Sequence, residues 1–571
     1  MVTKKADPAL DAVDAALSDL VEGERKWAAT SLRERRWLLD RVRELTGRHA
    51  QDWVDAAIGI KGLPASSPLV GEEWISGPYV MAAALGVLAN TLEALARGES
   101  PLDKARFGVA GDRVTVDVLP ANAFDALLLN GFSAQVWLRR GISSAAAKAE
   151  AGLAQRDPAR TNGIGAVLGA GNITSIAPLD VLYELIAHNR VVALKLNPIT
   201  DPMLPVFAAI LAPLIEIGAV RLLTGGAEVG GYLIGNDLVD HVHMTGSART
   251  HDAIVWGTGA EAAERRRAGT PKLTKPVTSE LGGVSPTIVL PGEWSDADIA
   301  FQAEHVATQR LHNGGYNCVA SQALILSADW PQKEQFLAAV RAAVAQAPAR
   351  PAYYPGSDDR VAGARTSYPR AERLGAKGER LLVTGIAPSP AEPLLAEEYF
   401  APVLGVVEIP GTGAEFARAA TRTANDAFAG TLGVNVIAMP ETIDELGAAF
   451  DLMIEDLRYG TVAINAWTGV GYLTPTASWG AFPGHTIDDV QSGIGVVHNA
   501  WLIDGVERTV VRGPFRPAPR SLLRGELALT PKPPWFVGNK TAAGTGRLLA
   551  GLAADPGWLR LPAIFASALR G

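Results

Sequence analysis

The 571-residue chain has a single cysteine, Cys318. One thiol excludes an intramolecular disulfide and any metal cluster built on several thiolates. A large excess of one charge is also missing. The 52 basic and 60 acidic side chains leave a formal charge of −8, a modest acidic balance that argues against a general nucleic-acid binder. Long apolar runs are scarce: stretches such as 205–220 are too short to span a bilayer and include Glu216, so no integral membrane segment is expected. Met1 to Asp7 is followed by acidic, alanine-rich sequence, not by the apolar core of a secretory signal. A cytoplasmic address is therefore expected. There is no Gly-x-Ser-x-Gly elbow, no His-Glu-x-x-His and no Gly-Lys-Ser/Thr phosphate loop, so the common hydrolase, zinc-protease and nucleoside-triphosphatase signatures are missing. His241 and His243 alternate along an expected strand with no carboxylate or cysteine cluster nearby in sequence. Their expected role is structural, and no metal site is expected.

What is present is an ordinary globular balance, 48% hydrophobic and 20% charged, in a chain long enough for two or three packed units. The first hundred residues read as helices. Ser31-Leu-Arg-Glu34 has the capping-box pattern, and an amphipathic run covers Tyr79 to Arg97. Val114 to Val118 alternates like a strand. From Gly163 strands and helices alternate. Strands are expected at 163–168, 191–196, 220–223 and 241–244, with helices at 179–188 and about 201–217. That alternation predicts a parallel sheet with covering helices. A second α/β region opens near Glu280, with strands at 287–290 and 323–326 around a helix through 303–311. The tail beyond about residue 500 is basic and proline-rich at 512–520, then apolar and helical.

Several short segments carry chemistry. Cys318 follows a glycine pair in His312-Asn-Gly-Gly-Tyr-Asn-Cys318, which lets the backbone bring the sulfur into a cleft beside exposed amides. A buried, inert thiol is the alternative. Glu280 precedes Leu-Gly-Gly, where a tight turn would aim a carboxylate into a cavity as a general base, or leave it in solvent. Asn172 in Gly169-Ala-Gly-Asn-Ile-Thr can donate to an oxyanion or cap the next helix. Gly246 and Ser247 end a strand and open a helix, a place for a phosphate, and Gly225-Gly-Ala-Glu-Val-Gly230 also follows a strand. Neither is a dinucleotide-binding Gly-x-Gly-x-x-Gly.

Read in order, Gly-Asn172-Ile-Thr, Val-Val-Ala-Leu-Lys195-Leu-Asn-Pro, Thr-Gly-Ser247, Glu280-Leu-Gly-Gly, Gly-Gly-Tyr-Asn-Cys318, Glu397-Glu-Tyr-Phe-Ala-Pro-Val-Leu404 and Gly460-Thr-Val-Ala-Ile-Asn465 form a series that resembles the aldehyde dehydrogenase superfamily. The likeness runs from about Ala15 to about Val497. It implies an aldehyde substrate, NAD or NADP as cofactor, and a homo-dimer or homo-tetramer. Cys318 would form a thiohemiacetal and then a thioester, Asn172 and the Cys318 amide would hold the oxyanion, and Glu280 would activate water. Lys195 would bind the adenosine ribose and Gly246-Ser247 the pyrophosphate. Gly226 and Gly230 would flank the adenine, Leu281 would line the nicotinamide pocket, and Glu398 and Phe400 would place the nicotinamide ribose and ring. An acylating enzyme that hands its thioester to coenzyme A, or a non-catalytic binding protein on the same fold, are the alternatives.

The fold implied is α/β. A Rossmann-type cofactor domain would comprise 1–110 and 161–279, with an α/β catalytic domain at 280–485. A β oligomerisation arm at 111–160 and a C-terminal extension at 486–571 would complete it. The sequence departs from the family at Gly171, where Trp is usual, and at Tyr316, where Gln is common. Val284 replaces a frequent Lys, Gln322 an Arg, and Pro198 the Glu that NAD-preferring members place on the ribose. Those changes leave the substrate class and the choice between NAD and NADP open. The apolar 558–565 segment is expected to cover the substrate mouth, pack on a neighbour or touch a membrane, packing being the commonest use of such a surface.

Overall fold

The computed structural model describes residues 7–571; Met1 to Ala6 lie outside them. Val191–Lys195, apolar until its last residue, is a strand buried along its whole length, as a parallel sheet between helical layers requires. It belongs to a six-stranded sheet in the spatial order Gly493–Ile494, Val277–Leu281, His241–Gly246, Ile164–Leu168, Val191–Lys195, Val220–Leu223. All neighbours pair in parallel except Gly493–Ile494, which is antiparallel. The chain builds outward from Ile164–Leu168 and then returns to its other side with His241–Gly246. The switch point lies between the C-terminal ends of those two strands, where open parallel sheets hold ligands.

The second sheet has eleven strands, ordered Phe107–Ala110, Arg113–Leu119, Ser133–Leu138, Val506–Arg512, Thr461–Ile464, Gly433–Ile437, Ser285–Val289, Ser321–Ser327, Val403–Ile409, Arg380–Ile386, Glu372–Leu374. The strands expected as a separate arm join this sheet through Val506–Arg512, which is antiparallel to Ser133–Leu138 and parallel to Thr461–Ile464. The arm is thus tied to the catalytic sheet of its own chain. Glu280 sits on Val277–Leu281, the last parallel strand of the first sheet, so the expected boundary at 279/280 falls inside a strand.

Two local expectations need correction. The single helix over 201–217 is three short pieces, Pro198–Met203, Leu204–Ile210 and Ala212–Glu216, because Pro202, Pro205 and Pro213 each remove an N–H and crowd the preceding turn. The segment over 79–97 is not amphipathic: most of Val80–Ala96 is buried. It continues from Val70, so among the described residues the longest apolar helix is Val70–Ala96, 27 residues whose most apolar stretch has mean hydropathy 1.5, and not 205–220. Its length and composition would suit a membrane, but more than half of its most apolar window is buried inside the protein. The tail helix Ala542–Ala554 lies against Val70–Trp74 of the same chain. An added Cβ on Gly71 would come within 2.4 Å of the Ala542 methyl, so only a glycine permits that approach. The Ser31–Glu34 capping box forms as expected.

Candidate active site

Cys318 stands at the end of a loop that only left-handed backbone can make. Asn313, Gly314 and Gly315 have φ of 52°, 70° and 83°. A Cβ on Gly315 would meet the Arg310 side chain at 2.7 Å, so the glycine is needed for both angle and space. Arg310, buried beneath the loop, donates to the Gly315 carbonyl at 3.0 Å and to the Ala401 carbonyl at 2.6 Å. One guanidinium thereby ties the cysteine loop to the segment carrying Glu398 and Phe400.

The Cys318 thiol donates to Glu280 Oε1 at 3.3 Å. Burial, then the charges of Glu280 and Glu398, push the thiol well above its usual range, against the pull of its own backbone N–H. At rest the sulfur is therefore protonated. Glu280 lies on a strand rather than in the expected turn, and it is buried. Burial, with the charge of Asp180, pushes its carboxyl up to about 7. A carboxyl at that level can take a proton near neutrality and give it back, as a general base must. Trp479 lies close enough to favour the Glu280 carboxylate, and Tyr472 is near enough to feel the charges of both Glu280 and Cys318.

Asn172 does not cap the next helix, which starts at Ile176 from Ser175. Its Nδ2 donates to the Tyr316 carbonyl at 3.0 Å, leaving the second amide hydrogen free for an oxyanion. Asn313 holds the same corner, its Nδ2 donating to the carbonyls of Asn172 and Tyr316 at 3.2 and 3.1 Å. Its Oδ1 accepts from Lys61 and Arg350 at 3.0 and 3.2 Å. Tyr353 also donates to the Asn172 carbonyl, at 3.1 Å. Gly171 has no room to be tryptophan: a Cβ there would meet the Asn197 side chain at 2.8 Å.

The residues expected to hold a cofactor fall along the switch-point crevice and the mouth beside Cys318. Lys195 ends its strand largely buried, with Asp201 the charge acting on it. Ser247 caps the helix Ala248–Val255, accepting from the Thr250 N–H at 3.1 Å; its hydroxyl keeps a hydrogen to donate beside the free helix amides. Gly226 is the N-cap of the helix Ala227–Gly235, which contains Gly230, and neither glycine has a backbone atom within 4 Å of an added Cβ. Gly246 closes the neighbouring strand. Leu281 is fully buried, its N–H donating to the Ser492 carbonyl at 2.9 Å. Glu398 is the clearest vacancy for a polar partner: Oε1 is buried with no hydrogen bond. Burial pushes this carboxyl up to about 8 despite Arg310 and Arg360. Phe400 adopts φ 45° and packs edge-on to Tyr354 at 4.7 Å. The donor set and the orphaned Glu398 oxygen fit a dinucleotide with ribose hydroxyls to share.

The sequence reading missed Arg310, Asn313, Tyr353 and the buried ion pairs behind them. It also held that no carboxylate lies near the strand histidines. In space His241 Nδ1 is 3.3 Å from Glu184 and His243 Nε2 is 3.6 Å from Asp180. A signal existed, since Asp180, Glu184 and His188 recur every four residues, the spacing of one helix face.

A family model for the aldehyde dehydrogenase family matches residues 140–375. A 3-sulfolactaldehyde dehydrogenase from Priestia aryabhattai is 32% identical over 162 residues, 27% of this chain and 30% of that protein. The chain thus spans about a third of that relative's length in the match. Among solved structures, the Mycobacterium tuberculosis aldehyde dehydrogenase complexed with NAD+ superposes with TM-score 0.58 at 17% identity, over 88% of this chain and 90% of that one. The NADP-dependent glyceraldehyde-3-phosphate dehydrogenase from Bacillus halodurans, complexed with NADP, gives TM-score 0.59 at 17% identity over 88% and 91%. Residues 140–375 thus match the aldehyde dehydrogenase family model, and the chain as a whole has the fold of the aldehyde dehydrogenases.

Proposed function

We propose that this chain oxidises an aldehyde to a carboxylic acid through a thiohemiacetal and a thioester on Cys318, using NAD or NADP. The observation that carries the reading is the 3.3 Å contact between the only thiol and a buried carboxylate, Glu280. Glu280 draws the proton from Cys318 as the sulfur attacks the aldehyde carbon. The amide of Asn172 and the Cys318 backbone N–H hold the oxygen as it gains charge. The nicotinamide, when bound, supplies the hydride acceptor. Lys195, Gly226, Gly230, Gly246 and Ser247 would hold the adenosine and pyrophosphate. Leu281, Glu398 and Phe400 would hold the nicotinamide end. Glu280, once deprotonated, then activates the water that cleaves the thioester. Its retention beside the sulfur favours hydrolysis over transfer to coenzyme A, because an activated water would compete with the second thiol.

Both cofactors occur among the structural neighbours, one bound to NAD+ and one to NADP. The test is reduced-cofactor absorbance with a panel of aldehydes, NAD and NADP supplied separately, and Cys318→Ala as control. Reduction that vanishes in the variant supports the proposal. Cofactor binding without turnover of any aldehyde overturns it in favour of a binding protein.

A further inference from the structure

Behind Glu280 lies a buried row of acids and imidazoles that the mechanism above does not use. Asp180 and Glu184 come from the helical segment Ile176–Leu182 and the wider turn Tyr183–Ala187 that continues it. His188 follows at the same four-residue spacing. His241, His243 and Thr245 alternate on the facing strand. The contacts form two groups that feel each other's charge: in the first, Thr245 Oγ1 donates to Asp180 at 2.9 Å, and His243 Nε2 lies 3.6 Å from the same Asp180 oxygen. In the second, His241 Nδ1 lies 3.3 Å from Glu184 Oε2, and His188 Nε2 lies 4.0 Å from Glu184 Oε1. The His188 and His241 rings are 6.2 Å apart.

The two ends of the row are different. At one end Thr245 is the direct strand partner of Glu280 in the sheet register. At the other His188 is 34% exposed, while Glu184 and Asp180 are 1% exposed. Arg190 donates to Glu184 at 3.0 Å, Thr278 Oγ1 lies 2.9 Å from His243 Nδ1, and Tyr183 stacks edge-on to His188. Glu280 and Tyr472 also lie close enough to Asp180 to feel its charge. Buried ion pairs are a poor source of stability, since desolvation consumes most of their attraction. A row of five that leads from a general base to water has a better explanation in proton traffic.

We propose that Asp180, His243, Glu184, His241 and His188 form a relay that carries protons from Glu280 to solvent, a role that rests on the hydrolytic reading of the Cys318 site. Thioester hydrolysis breaks the C–S bond, forms a C–O bond and yields carboxylate, thiol and one proton. Glu280 takes that proton from the attacking water and must lose it before the next turnover. Each imidazole has two nitrogens, so it can accept on one and donate from the other. The buried atoms Glu280 Oε2, Glu184 Oε1, His241 Nδ1 and His243 Nε2 lack a complete hydrogen bond, leaving room for a proton to move between them. Burial opposes a charge on His243, and Asp180 outweighs it, so that imidazole sits above its usual range. Burial pushes His188 down to about 4; at neutral pH it passes a proton to water and does not retain it.

The test uses the full chain, with His241→Gln and His243→Gln. The burst of cofactor reduction, which reports formation of the thioester, should keep its rate. Steady-state turnover should fall about tenfold or more, and added imidazole should restore it in the variants but not accelerate the wild type. A loss shared equally by burst and steady state, or a loss insensitive to imidazole, marks a structural role and overturns the relay. So does unchanged turnover in both variants. If the wild type reduces neither cofactor with any aldehyde, the dehydrogenase reading fails, and the row is judged by 15N-imidazole titration alone. Glu280→Gln should then shift the His243 titration by about one pH unit; no shift overturns the coupling.

Discussion

Lys61 and Glu73 meet at 2.8 Å with both side chains 1% exposed. Lys61 also donates to Asn313, the residue that holds the carbonyls of Asn172 and Tyr316. Arg350 and Glu72 form a second buried pair on the same asparagine. Lys61→Met would strand the Glu73 carboxylate in the interior. A loss of about 3–5 kcal/mol is expected, read as a lower denaturant midpoint. Lys61→Met/Glu73→Met should recover much of it, because an apolar pair leaves no uncompensated charge.

Turnover should rise with pH through the Glu280 carboxyl, at about 7. Below that value Glu280 carries a proton and cannot accept one from Cys318 or water; above it the carboxylate is free to do so. The expected profile of kcat climbs across neutrality. In Glu280→Gln the remaining slow rate should lose that limb.

On the proposed mechanism, Asn172→Ala removes an oxyanion donor and keeps the loop's backbone contacts. A fall in kcat of about a hundredfold to a thousandfold is expected, with little change in the midpoint of thermal unfolding. An equal loss of stability would mean that its bond to the Tyr316 carbonyl is the main contribution.

Gly282 is confined by Glu398, whose carboxylate would lie 2.2 Å from an added Cβ. Gly282→Ala should displace Glu398 from the proposed nicotinamide end. The KM for the cofactor should rise about tenfold, equivalent to about 1.4 kcal/mol, while alkylation of Cys318 without cofactor should change little.

Removing 541–571 would uncover the Val70–Ala96 helix, which the tail helix Ala542–Ala554 covers at Gly71. The truncated chain should bind a hydrophobic dye and aggregate on size-exclusion chromatography. A monodisperse, dye-negative product would show that the tail is dispensable for the fold.

Much of this molecule was legible in its residues, and the exceptions have physical causes. Val191–Lys195 and Val220–Leu223 were readable because an apolar run between turns leaves few options. Val506–Arg512 was hidden: Glu507, Arg508 and Thr509 interrupt its apolar pattern, yet all are buried. Arg113 neutralises Glu507 at 2.9 Å from a strand almost four hundred residues away. Cys318, Glu280 and Asn172 could be singled out because each sits in a recognisable neighbourhood. The acids beside His241 and His243 were missed for the opposite reason. They lie on a helix about sixty residues earlier, joined only by tertiary contacts such as Thr245 to Asp180.

The placement of Val506–Arg512 has a consequence for how the chain is made. This strand joins the arm to the rest of its sheet, yet it leaves the ribosome long after the arm. Arg139 and Val506, which touch in the finished protein, are 367 residues apart. Through most of translation Ser133–Leu138 has one bare edge, able to pair with whatever strand comes near. Closing so long a loop is slow, which makes the nascent arm the place where a chaperone would be needed.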